Sequence, residues 1–478
     1  MAANAVSKLL GALFKIPLTY LLREEGMAVY NTSFTVYVMF LAFVVSGVPV
    51  AVSKYAAQSD VRGALRMTDT ATLFLCVIGA LASAAMYIGA PFFALAMKEE
   101  NAVAAIRLIS PSVFLVAAGT AAGGFFHGTS RMTVPAVSQV TEAVIKLAAG
   151  YMLALWLTAM GSAWAAGGAA AGVTVGEAAA TGILLGVYAL MRVRVRVGST
   201  RKEKRETMKE LLSVAVPLLL ADAALNAVSA VDTSVLRTRL IASGMSEAAA
   251  RFEYGAFSGY AMTLFNLPVG ILGTIGLSML PAVAAAVADG DMKKAGQPLK
   301  KGIEMTLAIS VPAAVVMWLI PERLLDALFH NTASADMLRL MSPCVVTVSL
   351  MILLSSVIRA CGSVTLPSFV TTAGLIVKIG IMWVLCADRR FGIYGAMIGS
   401  NIAYFGMVVT DVIILRRLTG EIPHILRALL RPAAASAAIA AVMIYAGARI
   451  GEDIAGTAVI CGAGGAVYAV VMGLSKKK

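Results

Sequence analysis

The chain has 478 residues, of which 59% are hydrophobic and only 14% charged, with a mean hydropathy of +0.85. An ordinary soluble domain carries about 25% charged residues, so a water-soluble fold is excluded. The formal net charge of +13 would suit a nucleic-acid partner, yet the basic residues sit in the breaks between apolar runs, where membrane topology accounts for them.

Crossing roughly 30 Å of hydrocarbon takes about 20 apolar residues. Runs of that kind predict spans near residues 5–22, 32–53, 70–97, 106–126, 134–158 and 164–191. After a polar break they resume near 211–236, 255–287, 302–328, 338–360, 366–387 and 391–416, with two more near 429–448 and 454–473. The expected fold is therefore an all-α integral membrane protein of about fourteen transmembrane helices. Its expected parts are a six-helix lobe over 1–195, a basic linker over 196–210, a second six-helix lobe over 211–420, and two further helices with a basic tail over 421–478. Lys15 interrupts the first apolar run and no small-residue cleavage site follows, so this run reads as a retained helix rather than a signal peptide.

The two six-span sets are copies of one unit. RLISPSV from Arg107 returns as RLMSPCV from Arg339, and at the same offset of 232 residues Pro49 meets Pro281, Ala56 meets Ala288, Pro135 meets Pro367 and Lys146 meets Lys378. An even number of spans per copy makes the repeat parallel, related by an axis along the membrane normal. Membrane proteins built this way bind where the copies meet and open alternately to the two sides, so transport is the expected function. Basic segments at 54–66, 127–131, 192–209, 293–301, 416–431 and 476–478 fall on one side, which places both termini in the cytoplasm. Arg237, Arg239, Arg389 and Arg390 are the exceptions.

Charges inside spans carry the chemistry, because each costs about 2.5–3.5 kcal/mol at a helix centre even on the mildest scale. Lys146 and Lys378 lie about half-way along their spans and are repeat mates. Glu142, one turn before Lys146, is placed to neutralise it. Lys8 and Lys15, seven residues apart, share one face of the first span. The seventh span carries Asp222, Asn226, Ser229, Thr233 and Arg237 as one polar stripe with Asp232 beside it. This stripe reads as a cavity wall, Asn226 and Arg237 contacting substrate and Asp222 and Asp232 serving ion coupling, or alternatively as hydrogen bonding between helices. In the eighth span Pro268, Gly270 and Gly273 predict a hinge.

Cofactor, metal and enzyme chemistry have no support. The histidines at 127, 330 and 424 are scattered, the five cysteines contain no CxxC pair, and no Walker A pattern is present.

The opening SKLLGALFKIPLTYLLREEGMAVYN and the segment SGVPVAVSKYAAQ from Ser46 resemble the SpoVB and YtgP branch of the polysaccharide and lipid-linked-oligosaccharide flippases. The wider group is the multidrug, oligosaccharidyl-lipid and polysaccharide exporter superfamily, which includes the MurJ lipid II flippases. The resemblance covers most of the chain. It implies a MATE- and MurJ-like fold in the cytoplasmic membrane, and movement of an undecaprenyl-pyrophosphate-linked saccharide, such as lipid II, to the outer leaflet by alternating access. H+, Na+ or the membrane potential would drive it. The resemblance also implies that basic residues of the first helix, here Lys8 and Lys15, contact the head group. MurJ proteins carry arginines in the second span and an Arg and Glu before the proline of the eighth; here the second span has none, and Thr263 and Asn266 precede Pro268. The alternative is an ion-coupled multidrug exporter of the same superfamily, which would call for a cavity dominated by carboxylates.

Overall fold

The computed structural model describes residues 2–45, 47–193, 195, 201–288, 292–363, 365–419, 425–447 and 454–475. Of the expected site residues, Lys8, Lys15, Asp222 and Asn226 have side chains that lie outside the described residues. The chain forms two compact units, Ala2–Arg237 and Thr238–Lys478, and no strand occurs among the described residues.

The first unit comprises α1 (Ala2–Val45), α2 (Val48–Gln58), α3 (Val61–Ile88), α4 (Ala90–Ala96), α5 (Val103–Ile109), α6 (Pro111–Gly128), α7 (Thr133–Leu157), α8 (Ser162–Val193) and most of α9 (Arg201–Ala242). Helix starts follow local chemistry: the Asp60 side chain accepts from Gly63 N at 2.9 Å to cap α3, and Pro49 and Pro111 occupy first turns, where a missing N–H costs nothing. Inside α1 the backbone breaks at Arg23, whose φ of 53° and ψ of −168° are far from helical.

The second unit comprises α10 (Glu247–Ala256), a π-turn (Phe257–Ala261), α11 (Met262–Ala288), α12 (Met292–Leu319), α13 (Pro321–Phe329), α14 (Ala335–Ala360), α15 (Thr365–Leu385), α16 (Tyr394–Thr419), α17 (Ile425–Gly447) and α18 (Ile454–Ser475). Its element bounds reproduce the repeat. Val103 opens α5 as Ala335 opens α14, Gly128 closes α6 as Ala360 closes α14, and Thr133 and Ser162 open α7 and α8 as Thr365 and Tyr394 open α15 and α16. The offset of the sequence repeat survives in each pair.

Eleven helices among the described residues are long and apolar enough to cross a membrane, with Gly456–Met472 as a shorter apolar helix. The expected runs near 5–22, 211–236 and 454–473 fall in part on residues whose side chains lie outside the described ones, so the count of eleven is of the described residues alone. Large side chains such as Leu81, Ile88, Phe92 and Trp156 are 67%, 76%, 69% and 84% exposed, a surface that only lipid can cover.

Close approach of α7 and α8 organises the first unit. A Cβ at Gly168 would stand 2.5 Å from Leu153 O, at Gly172 2.1 Å from Gly150 Cα, and at Gly176 2.9 Å from both Glu142 O and Lys146 Cβ. Small residues at this spacing bring backbones together where no hydrophobic effect drives association. Hydroxyls add direction: Ser138 donates to Ala180 O at 3.1 Å, Thr174 to Leu108 O at 2.7 Å and Thr181 to Leu115 O at 2.8 Å. At one end of α3 and α8, Asp69 accepts from Tyr188 at 2.7 Å and from Arg192 at 2.8 Å. In the second unit Leu350, Leu354 and Ile358 of α14 form a core with Ile303 and Leu307 of α12 and with Val408 and Leu415 of α16. There α18 is tied to α12 by Tyr468, which donates to Ala308 O at 2.7 Å.

Replacing Gly172 by Val is expected to force α7 from α8 and destabilise the protein by about 1–3 kcal/mol, the usual cost of overpacking. Thermal unfolding in detergent checks this, with Gly182→Ala, where no atom lies within 4 Å of the new Cβ, leaving the midpoint unchanged.

Candidate functional site

The Gly176 contact places a charged cluster within the first unit. Glu142 and Lys146, four residues apart on α7, lie on one face, and the Lys146 ammonium donates to Glu142 Oε1 at 2.9 Å. Because α8 meets α7 through Gly176, the next residue, Glu177, is brought to this pair. Lys146 interacts electrostatically with Glu142, Glu177 and Tyr30. From α1 come Tyr30, Phe34 and Tyr37, a ladder of rings with centroids 6.2 and 5.6 Å apart. Tyr37, 3% exposed, donates its hydroxyl to Glu177 Oε1 at 3.3 Å. The side chains of Lys146 and Glu142 remain 21% and 24% exposed, so the pair is half-buried rather than sealed.

Such a cluster can do two things. An ammonium has three N–H donors, and Glu142 takes one, so Lys146 retains capacity for an anionic oxygen. Two carboxylates against one ammonium can also hold a proton or a cation.

The repeat is not symmetric here. Lys378 is half-buried on α15, in electrostatic contact with the buried Cys344 of α14, and a Cβ at Gly399 of α16 would lie 3.2 Å from its carbonyl oxygen. Where the first copy has Glu142 and Glu177, the second has Gly374 and Val409. Met407 occupies the space that a side chain at 374 would need, its Cε lying 2.1 Å from the position of such a Cβ. The ammonium is repeated and the acids are not.

Of the polar stripe on α9, Thr233 and Arg237 are described, as is Asp232 beside it; Thr233 and Asp232 are half-buried. Arg237 and Glu99 are only 2% and 0% exposed and lie 3.1 Å apart. The same guanidinium donates to Met97 O at 3.1 Å, and Ser234 donates to Ala96 O at 2.8 Å. These bonds fasten the end of α9 to the turn between α4 and α5. Pro268, Gly270 and Gly273 lie on a continuous α11. The irregularity in that element comes before them, in the π-turn, which Thr263 spans by donating to Gly259 O. Space around Gly270 is open within 4 Å of a Cβ, while Gly273 is buried.

Several charged residues went unread in the sequence. Glu177 and Asp411 are acids inside apolar spans, the same signal that marks Lys146. Asp411 is fully buried on α16 and accepts from Ser355 of α14 at 3.0 Å. Glu99 lies in a turn, and nothing in the sequence singles it out.

The family model described as polysaccharide biosynthesis protein matches residues 1–287, and one described as MatE matches residues 256–384. The chain is similar to stage V sporulation protein B of Bacillus subtilis (strain 168), at 23% identity over 404 residues that cover 83% of this chain and 78% of the relative. It is likewise similar to lipid II flippase MurJ of the same organism, at 23% identity over 447 residues covering 87% and 81%. A solved structure of lipid II flippase MurJ in an inward closed conformation matches with a TM-score of 0.75 at 12% identity, over 100% of this chain and 98% of that one.

Removing one partner of a buried ion pair leaves the other uncompensated, at a cost of about 3–5 kcal/mol. Arg237→Met alone is therefore expected to destabilise the protein strongly, and Arg237→Met combined with Glu99→Leu to recover most of that loss. Unfolding midpoints of the two single variants and the double variant complete the cycle.

Proposed function

The chain belongs to the polysaccharide biosynthesis protein family, within the multidrug, oligosaccharidyl-lipid and polysaccharide exporter superfamily, and from that premise we propose that it flips an undecaprenyl-pyrophosphate-linked saccharide, lipid II or a related cell-envelope precursor, across the membrane. It is a multi-pass membrane transporter with many apolar helices and flippase relatives. The observation that carries the reading is a mid-span ammonium present in both copies, Lys146 and Lys378. A lysine suits a pyrophosphate as a compact point charge. A relative named as a lipid II flippase supports the substrate class.

In this reading Lys8, Lys15, Lys146, Lys378 and Asn226 meet the head group, with Glu142 holding Lys146 until it arrives, while Arg237, buried against Glu99, is not a contact. Asp222 and Asp232 serve ion coupling by H+ or Na+, and Pro268, Gly270 and Gly273 bend α11 as access alternates. Movement runs from the cytoplasmic to the outer leaflet of the cell membrane, with both termini cytoplasmic. One observation favours a second reading, a MATE-like exporter of cations: Glu177 gives the cluster a carboxylate excess.

Reconstitution into liposomes containing fluorescent lipid II tests the proposal by the rate at which the head group becomes accessible across the bilayer. Lys146→Ala and Lys378→Ala are each expected to abolish that rate while the protein still inserts and stays folded. Full rates in both variants would remove the lysines from the mechanism. Absence of lipid II movement together with efflux of a cationic dye would transfer the function to the exporter reading.

A further inference from the structure

The cluster on α7 and α8 has a charge problem as a site for an anion. With Glu142, Glu177 and Lys146 all ionised it is net negative by one charge, and a diphosphate entering it would be repelled. Two like charges about 4 Å apart cost about 4 kcal/mol at an effective dielectric of 20. Glu142 is already compensated, by the Lys146 ammonium at 2.9 Å. Glu177 receives the neutral hydroxyl of Tyr37 at 3.3 Å. Among the described residues the opposite charge near it is that of Lys146, which Glu142 already engages. The α1 side brings Tyr30 and Tyr37, 4% and 3% exposed, and α7 brings Glu142 and Lys146. Toward α6, the Ser112 hydroxyl engages Thr174 at 2.9 Å, and on α5 the exposed Arg107 lies over the Tyr87 ring, 5.4 Å from its centroid.

We propose that binding of a diphosphate head group at this cluster is linked to the uptake of one proton from bulk water by the Glu177 carboxylate. The inference rests on the flippase reading above. Once Glu177 is neutral, Glu142 and Lys146 form a neutral pair, and the remaining ammonium donors of Lys146 turn to the phosphate oxygens. Tyr37 is the positioning residue, because its hydroxyl holds the Glu177 carboxyl beside the pair. The same linkage reconciles the two readings of the site, since a carboxylate excess that repels an anion becomes the means of coupling it to protons.

Linkage requires that affinity fall by up to about tenfold per pH unit across the range in which free Glu177 loses its proton. The experiment is calorimetric titration of the full-length protein in nanodiscs with lipid II, from acid to alkaline pH, in two buffers of different ionisation enthalpy. The expected result is a binding heat that depends on the buffer, corresponding to one proton taken up, and an affinity that weakens as pH rises. Glu177→Gln is expected to bind without proton uptake and with a flat pH profile; Tyr37→Phe, which keeps the carboxyl, shifts the midpoint without flattening it. Lipid II binding with no buffer dependence and no pH dependence would overturn the inference and leave the flippase reading standing. A pH dependence that persists unchanged in folded Glu177→Gln would overturn the assignment to Glu177. No binding at any pH by folded protein would overturn the flippase reading, and the inference with it.

Discussion

Within hydrocarbon no water is available to compensate a charge, so an in-span ion of this protein needs a partner on its own helix or on a neighbouring one. The approach of α8 to α7 through Gly168, Gly172 and Gly176 answers that constraint in the first unit. It is close enough that Glu177 and the Glu142–Lys146 pair share one environment, and the glycines leave no side chains to hold the helices apart. The Tyr30–Phe34–Tyr37 ladder closes the α1 side, and Tyr37, apolar in body and polar at the tip, keeps the carboxyl of Glu177 hydrogen-bonded without adding charge.

Duplication followed by divergence explains the rest of the site. Helix bounds in the two units keep their offset from α5 through α8, so the backbone plan is shared. The charges are not: the second copy keeps the lysine and replaces both acids, with Met407 packed where a side chain at 374 would go. At these repeat-related positions the acids thereby occur in the first unit alone, and the second unit keeps an ammonium in a less acidic setting. Asp411, fully buried between α16 and α14, shows that the second unit compensates a buried carboxyl elsewhere, through the hydroxyl of Ser355.

Arg237 illustrates how one residue type can be read in two ways. On a helical projection it completes a polar stripe with Asp222, Asn226, Ser229 and Thr233, and a stripe suggests a cavity wall. Its guanidinium is instead buried against Glu99 and the carbonyls at the end of α4, a set of partners that comes from about 140 residues away in the chain. Periodicity reports which face of a helix a residue occupies, and what lies opposite that face is a property of the packing.

By itself the sequence determined the membrane class, the all-α architecture, the internal duplication and the correspondence of Lys146 with Lys378, because hydropathy, periodicity and repeat spacing are local or self-referential quantities. It also placed Glu142 one turn from Lys146, since that contact lies within a single helix. Only the tertiary structure decided that Glu177 and Tyr37 join this pair, that Arg237 closes on Glu99, and that the first helical runs continue through a break at Arg23. Each of those depends on side chains distant in the chain being brought within hydrogen-bond reach, and that distance is set by how closely the helices pack.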